Sequence, residues 1–367
     1  MSASSLTDPS HPARGRLKIY LGYAAGVGKT YQMLDEAQTL QRQGRDVVIG
    51  YFEPHGRKDT IAKTQGLEMV PRRSIEYRGS TFEEMNVPAI LTRRPEICLV
   101  DELPHTNVPG AERAKRWEDV IALLEAGIDV FSTINVQHLE SLYDQVLQIT
   151  GIRVRETVPD WVLRQADEVV MVDLTPRALL NRLMRGAVYP SDKARRAMDF
   201  FFKESTLVAL RELALRETAH EVNVRVVDMA SRLPRAPSAS VGGGERLLVF
   251  VTEVEGAEAL VRRARRVADF LGAECYAVYV RAAQQVERAV ALARVLHIET
   301  RELEGDDHAQ ALVEFARAHK VTHIFVGRPR YDGVHWFTGR NLIHRIVRLA
   351  KEMEVIVVAE RRAPAPG

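Results

Sequence analysis

A chain of 367 residues is too long for one ordinary hydrophobic core and suits two domains. Its 46 % hydrophobic and 27 % charged residues are those of a globular protein, and a net charge of +2 excludes a broad polyanion-binding surface, so no nucleic acid partner is expected. No run approaches the ~18 uninterrupted apolar residues of a membrane span, and the only cysteines, Cys98 and Cys275, sit singly in apolar runs, which excludes a disulfide framework and a paired-cysteine metal site.

Met1 to Gly15 is polar, lacks the apolar stretch of a secretory signal, and reads as a disordered leader of a cytoplasmic protein. The apolar run Leu17 to Leu21 then predicts a strand, and Gly22-Tyr-Ala-Ala-Gly-Val-Gly-Lys-Thr30 follows it directly. Strand, glycine-rich loop, Gly-Lys-Thr and helix in that order are how a chain builds a phosphate-binding nest. Gly26 and Gly28 let the backbone curl around Val27 so that N–H groups face phosphate oxygens. Lys29 would bridge the terminal phosphates, the Thr30 hydroxyl would ligate Mg²⁺, and Gly22 and Tyr31 flank the ligand. The spacing departs from the strict form, because Tyr23 stands where a small residue is expected.

Gln32 to Gln43 carries Met33, Leu34, Ala37 and Leu40 on one helical face, with Gly44 as its stop. The strand Asp46 to Phe52 runs into Glu53-Pro-His-Gly-Arg57. Later strands, separated by helix-patterned stretches, are Ile97 to Val100, Asp129 to Ile134 and Glu168 to Val172. Apolar runs of this kind alternating with helices indicate a parallel sheet covered on both faces, with ligands at the carboxyl ends of its strands. The strand that closes on Asp101-Glu102 supplies the second half of a triphosphate site. Asp101 would hold Mg²⁺ through water and Glu102 would polarise the attacking group. The expected ligands are therefore ATP and Mg²⁺.

Ser231 to Glu245, with its prolines, serines and three consecutive glycines, is a linker. It separates a domain over 16–230 from a smaller α/β sandwich over 246–361, and 362–367 is a solvated tail. In the second domain strands are expected at Arg246 to Thr252, Glu274 to Val280, Glu299 to Leu303, His323 to Val326 and Val355 to Ala359, with helices at Ala257 to Leu271 and Gly339 to Met353.

The first domain resembles the cytoplasmic sensor domain of the KdpD family, the osmosensitive potassium sensor kinases. The strings that carry the resemblance are Ala25-Gly-Val-Gly-Lys-Thr-Tyr-Gln-Met-Leu34, Gly50-Tyr-Phe-Glu-Pro-His-Gly-Arg57, Leu99-Val-Asp-Glu-Leu-Pro-His-Thr-Asn107 and Ser132-Thr-Ile-Asn-Val-Gln-His-Leu-Glu-Ser141. The segment after the linker resembles the universal-stress-protein domain that follows in the same family. The resemblance implies an α/β fold made of a parallel-sheet P-loop NTPase domain and a universal-stress-protein-like domain. It also implies work in potassium homeostasis, with the Kdp potassium pump, a separate kinase or a response regulator as partner, and it is compatible with a homodimer. The family's membrane spans, phosphoacceptor helix and catalytic domain are not in this sequence, and His220 reads as a plain helix residue, so histidine autokinase activity is not expected. Cyclic di-AMP, a ligand of some stress domains in the family, is disfavoured here. Of the family's strand only Ala277 and Tyr279 remain, Glu253 and Glu255 would repel a dianion, and the phosphate turn is altered at Arg330 and Arg340 after Gly327 and Gly339.

Several residues stand near such a site with open roles. Thr133 and Asn135 either sense the terminal phosphate or cap the next helix. Arg177, Arg182 and Arg185 either fold over a triphosphate or are solvated. Glu53, His55 and Arg57 form either an acceptor or partner loop or a turn held by Pro54 and Gly56. Two functions follow: an ATP-dependent phosphotransferase acting on a serine or threonine hydroxyl of a partner such as the pump, or a non-catalytic ATP-sensing signalling module.

Overall fold

The computed structural model of the chain describes residues 14–185, 202–232, 244–252, 256–280, 284–304, 307–328 and 342–359. The leader up to residue 13, the linker over 233–243, Glu253, Glu255, Arg330, Gly339, Arg340 and the tail lie outside the described residues. Two compact units emerge, one made of Met1–Leu139, Gln145–Val158 and Val162–Ala219, the other of Glu140–Asp144, Pro159–Trp161 and His220–Gly367.

In the first unit, β1 (Leu17–Gly22) is buried along nearly its whole length, as an apolar run without alternation requires of a central parallel strand. It pairs on one side with β7 (Asp129–Asn135) and on the other with β8 (Glu168–Met171), both parallel. Beyond β7 lie β6 (Ile97–Val100), β2 (Val47–Tyr51) and the short β3 (Glu68–Met69), giving the order β3-β2-β6-β7-β1-β8. The expected parallel sheet is therefore present. Register decides what meets at its carboxyl edge. Gly22 pairs with Asn135, Tyr20 with Thr133, and Val100 with Ser132, so the ends of β1, β6 and β7 arrive side by side.

Helices α1 (Lys29–Arg42), α2 (Lys58–Ala62), α3 (Val87–Arg93), α4 (Arg116–Glu125), α5 (Tyr143–Thr150), α6 (Asp160–Arg164) and α7 (Pro176–Met184) are interspersed, and a long helix spans Glu204–Arg232 and includes His220. The first begins at Lys29, three residues before the periodicity of its apolar face sets in. Two expectations need correction. Gly15 is not part of a loose leader: its N–H donates to Leu124 O at 2.8 Å, and an added Cβ would lie 2.1 Å from Ile128 O. An antiparallel hairpin, β4 (Arg73–Tyr77) and β5 (Ser80–Glu84), stands in a stretch expected to be helix-patterned. Arg78 and Gly79 at its tip have φ 50° and 76°, the two-residue turn whose twist suits a hairpin.

The second unit holds a parallel sheet of five strands in the order β11-β10-β9-β12-β13. These are β9 (Arg246–Val251), β10 (Glu274–Tyr279), β11 (Glu299–Glu302), β12 (His323–Gly327) and β13 (Glu354–Val358). Alternate residues of β9 serve opposite layers: Leu247, Val249 and Val251 pack in one cluster, Leu248 and Phe250 in another. Helices Ala257–Leu271, Gln284–Val295, His308–Ala318 and Leu342–Leu349 accompany this sheet. Cys98 and Cys275 are free, buried core residues, and burial pushes both thiols up to about 12. Among the described residues no helix is long and apolar enough to cross a membrane.

Gly50 on β2 is where this packing admits no side chain. A Cβ there would lie 2.5 Å from Cys98 Sγ and 2.9 Å from Ile90 Cδ1. Gly50→Ala is expected to lower the urea unfolding free energy by about 1–3 kcal/mol with an unchanged m-value.

Candidate functional site

The loop between β1 and α1 is shaped by two glycines with left-handed backbone, Gly26 (φ 89°) and Gly28 (φ 114°). An alanine at either position would be strained, which is why the sequence has glycine there. Gly28 is the N-cap of α1 and no side chain caps that helix, so its first-turn N–H groups face the loop as an anion site requires. Gly22 is required for a different reason: a Cβ there would lie 2.7 Å from Val27 Cγ2 and 2.9 Å from Lys29 Cδ. Val27 is buried and Tyr31 exposed. Tyr23 does not obstruct the loop. It is fully buried and its hydroxyl donates to Leu174 O at 2.6 Å.

Lys29 lies almost wholly inside the protein. Its Nζ donates to Asn135 Oδ1 at 2.5 Å and to Ala24 O at 3.4 Å. Burial pushes the ammonium down to about 8, against the pull of Asp101 and with the help of the Arg57 charge. Asp101, at the end of β6, is 1 % exposed. Its Oδ1 accepts from Thr30 Oγ1 at 3.0 Å and from Thr133 Oγ1 at 2.6 Å. Burial raises this carboxyl above its ordinary range, the two hydroxyls and Lys29 opposing the rise. Thr133 and Asn135 are thus bonded to the acid and to the lysine, and no side chain caps the 3₁₀ turn Val136–His138 that follows Asn135. The capping alternative for these residues is not what the fold uses.

Glu102 has φ 56° and its N–H donates to Thr133 Oγ1 at 3.1 Å. Its Oε1 accepts from His55 Nε2 at 2.5 Å. That hydrogen bond raises the imidazole above its ordinary 6.5. Burial alone would push Glu102 up, but His55, with the Arg116 charge behind it, holds the carboxyl below its usual range. The loop from Glu53 to Arg57 is also a turn, closed by Arg57 N–H to Pro54 O at 2.9 Å with Gly56 at φ 71°, and Glu53 accepts from Tyr51 OH at 3.1 Å. Of the three arginines on or just after α7, Arg182 comes to the loop: its Nη1 lies 3.7 Å from where a Cβ of Gly28 would be. Arg177 is five residues back, about 140° around the helix, and Arg185 is at its exposed C-cap.

Three residues escape a reading of the sequence. Arg116 is the first residue of α4 and fully buried. Its Nη1 donates to Asp101 O at 3.2 Å and Glu102 O at 3.4 Å, and Nη2 to Glu84 Oε2 at 3.4 Å. The guanidinium carbon lies 3.6 Å from the centroid of the Tyr51 ring, a cation–π contact. Glu84, itself buried, also pairs with His105 at 3.0 Å. His138 Nδ1 donates to Glu156 O at 2.8 Å, and burial lowers its pKa, as does the Lys29 charge. Nothing local in the sequence around Arg116 marks it as a buried residue.

Comparison with known proteins agrees with the first domain's motifs. Residues 13–222 match the family model described as osmosensitive K+ channel His kinase sensor domain, KdpD. The chain is 43 % identical to the sensor protein KdpD of Escherichia coli (strain K12) over 98 % of its own length and 41 % of that relative's, so it spans about two-fifths of that protein. It is 42 % identical to the putative sensor protein KdpD of Synechocystis sp. (strain ATCC 27184 / PCC 6803 / Kazusa), covering 97 % of this chain and 98 % of that one. Among solved structures, a universal stress protein in complex with cAMP covers 32 % of this chain and 98 % of its own, at 21 % identity and TM-score 0.27.

The His55–Glu102 pair predicts a pH signature. The His55 ring protons, followed by NMR, should titrate with a midpoint above 6.5, and Glu102→Gln should return it toward that value. The stability lent by the pair is full between the ordinary carboxyl value of 4.5 and pH 6.5; it is lost as pH rises through the raised His55 midpoint and again as pH falls through the lowered Glu102 one.

Proposed function

The chain belongs to the KdpD family of osmosensitive K+ channel His kinase sensor domains; from that premise we propose that it is a cytoplasmic ATP-binding regulator of potassium homeostasis. In this reading its first domain is a P-loop phosphotransferase and its second a universal-stress-protein-like regulatory domain. The observation that carries it is the convergence on the Gly26–Gly28 turn of a buried lysine, Lys29, with the Thr30 hydroxyl and Asp101 carboxylate joined at 3.0 Å. The donor set is all oxygen, which suits Mg²⁺. Thr30 and Asp101 would hold the ion, which neutralises phosphate charge when bound. Lys29 and the first-turn N–H groups of α1 would hold the β- and γ-phosphates, and Arg182 would cover them.

The acceptor in this proposal is a serine or threonine hydroxyl of a partner, with the Kdp potassium pump as the first candidate. Its proton would pass to Glu102 as its oxygen attacks the γ-phosphorus and ADP leaves. Incubation with γ-labelled ATP and pump subunits tests this. Label on protein is expected, and label only as free phosphate rejects transfer. A second reading, a non-catalytic ATP-sensing module acting on a separate kinase or response regulator, draws support from the loop's tie to the long helix. Tyr23 holds Leu174 O, and the neighbouring Asp173 pairs with Arg211 through Nε at 2.7 Å. Absent turnover in wild type and Glu102→Gln alike, with MgATP bound, would favour it.

Two outcomes are expected for binding. Lys29→Ala should weaken MgATP by roughly 10–100-fold in calorimetry, the cost of a lost charge-assisted contact. Because the Lys29 ammonium sits near 8 and phosphate binds its charged form, wild-type affinity should be flat below pH 8 and fall, with proton uptake on binding, as pH rises above it.

A further inference from the structure

Glu102, the acid that takes the acceptor's proton in the phosphotransfer reading, is already engaged. Glu102 Oε1 and His55 Nε2 are 2.5 Å apart, and the two residues come from the loops that follow the paired strands β6 and β2. Both have left-handed backbone, φ 56° and 44°, a conformation uncommon for residues other than glycine. Burial does not force the contact, since the side chains retain 40 % and 41 % of their exposure. The mount beneath Glu102 is rigid. Its N–H is held by Thr133 Oγ1 and its carbonyl by the buried Arg116, whose guanidinium also lies on Tyr51 at the end of β2. Backbone fixed at this depth leaves the carboxylate a short reach, and the imidazole occupies it.

We propose that His55 is a specificity-determining residue: it masks the Oε1 oxygen of Glu102, and the hydroxyl of a docked partner displaces the imidazole to be activated at that oxygen. This rests on the phosphotransfer reading given above. Once the imidazole is displaced, the acceptor O–H gives its proton to Glu102 and its oxygen bonds to the γ-phosphorus. The bond from that phosphorus to the bridging oxygen breaks, and the electron pair leaves with ADP. Water has no second contact with which to offset the loss of the His55 hydrogen bond, whereas a partner bound along the Glu53–Arg57 loop does. The His55 ring is therefore a barrier to wasteful hydrolysis and a marker for the acceptor's seat.

Phosphate release from MgATP by the full chain, with no other protein present, tests the idea. His55→Ala should raise release about ten-fold, the equivalent of one charge-assisted hydrogen bond no longer to be broken. His55→Gln, which keeps a donor for the carboxylate, should stay near the wild-type rate, and His55→Ala combined with Glu102→Gln should lose the gain. Release from His55→Ala at or below the wild-type rate, with MgATP affinity intact, overturns the mask and leaves the nucleotide site standing. An equal rise in both single variants also overturns it. Failure of the wild-type chain to bind MgATP overturns the nucleotide reading and this inference with it.

Discussion

A carboxylate 1 % exposed, beside a lysine buried to nearly the same degree, is the constraint on which the first unit is built. Each charge stripped of water costs several kcal/mol unless hydrogen bonds replace its hydration. Asp101 receives two hydroxyls, from Thr30 on α1 and Thr133 on β7, and Lys29 finds the amide oxygen of Asn135 two residues further along the same strand. These partners exist only because β7 runs between β1 and β6 in this register. A one-residue slip of β7 would turn Thr133 and Asn135 to the other face, leaving Asp101 with Thr30 alone and Lys29 with only the 3.4 Å contact to Ala24 O.

Around that centre, Arg116 acts as a brace. It binds the carbonyls of Asp101 and Glu102, pairs with Glu84 at the end of β5 and stacks on Tyr51 of β2. Its four partners thus belong to three different segments, and of its nitrogens Nε alone lacks a partner among the described residues. A guanidinium suits this place because its planar fork reaches two carbonyls and a carboxylate at once while one face lies on an aromatic ring. The turn carrying the two acids is held by this arginine rather than by its own sequence preference, since Glu102 has a left-handed backbone that glutamate does not favour.

Tyr23 shows how a departure from a motif is accommodated. The residue expected to be small is large, but its ring is fully buried and its hydroxyl ends on Leu174 O beyond β8. The loop is thereby anchored to the segment that leads into α7, the helix that brings Arg182 to Gly28. Specificity of placement comes here from one side chain reaching across β1's neighbour. By contrast, Lys18 does a simpler job on the same strand, pairing with Glu36 at 2.7 Å and Glu168 at 3.0 Å on the edge of the core.

Glycines at 26 and 28, the Lys-Thr pair after them and the apolar run ending in Asp101-Glu102 are local patterns, and local backbone chemistry suffices to read them. Loop, helix start and parallel strands follow from the chain in order, because positive φ, burial and periodicity are properties of neighbouring residues. The hairpin at β4–β5 was hidden because its strands are short and exposed and only Arg78-Gly79 marks the turn. Which of Arg177, Arg182 and Arg185 meets the loop, whether Thr133 caps a helix or binds an acid, and that Arg116 is buried were settled by packing. Those answers depend on strand order and on partners from about 15 to more than 150 residues away in sequence, as in Arg116 to Asp101 and Gly28 to Arg182. Sequence by itself determined the chemistry offered at the site; the sheet decided which groups share it, because only tertiary contact brings distant charges out of water together.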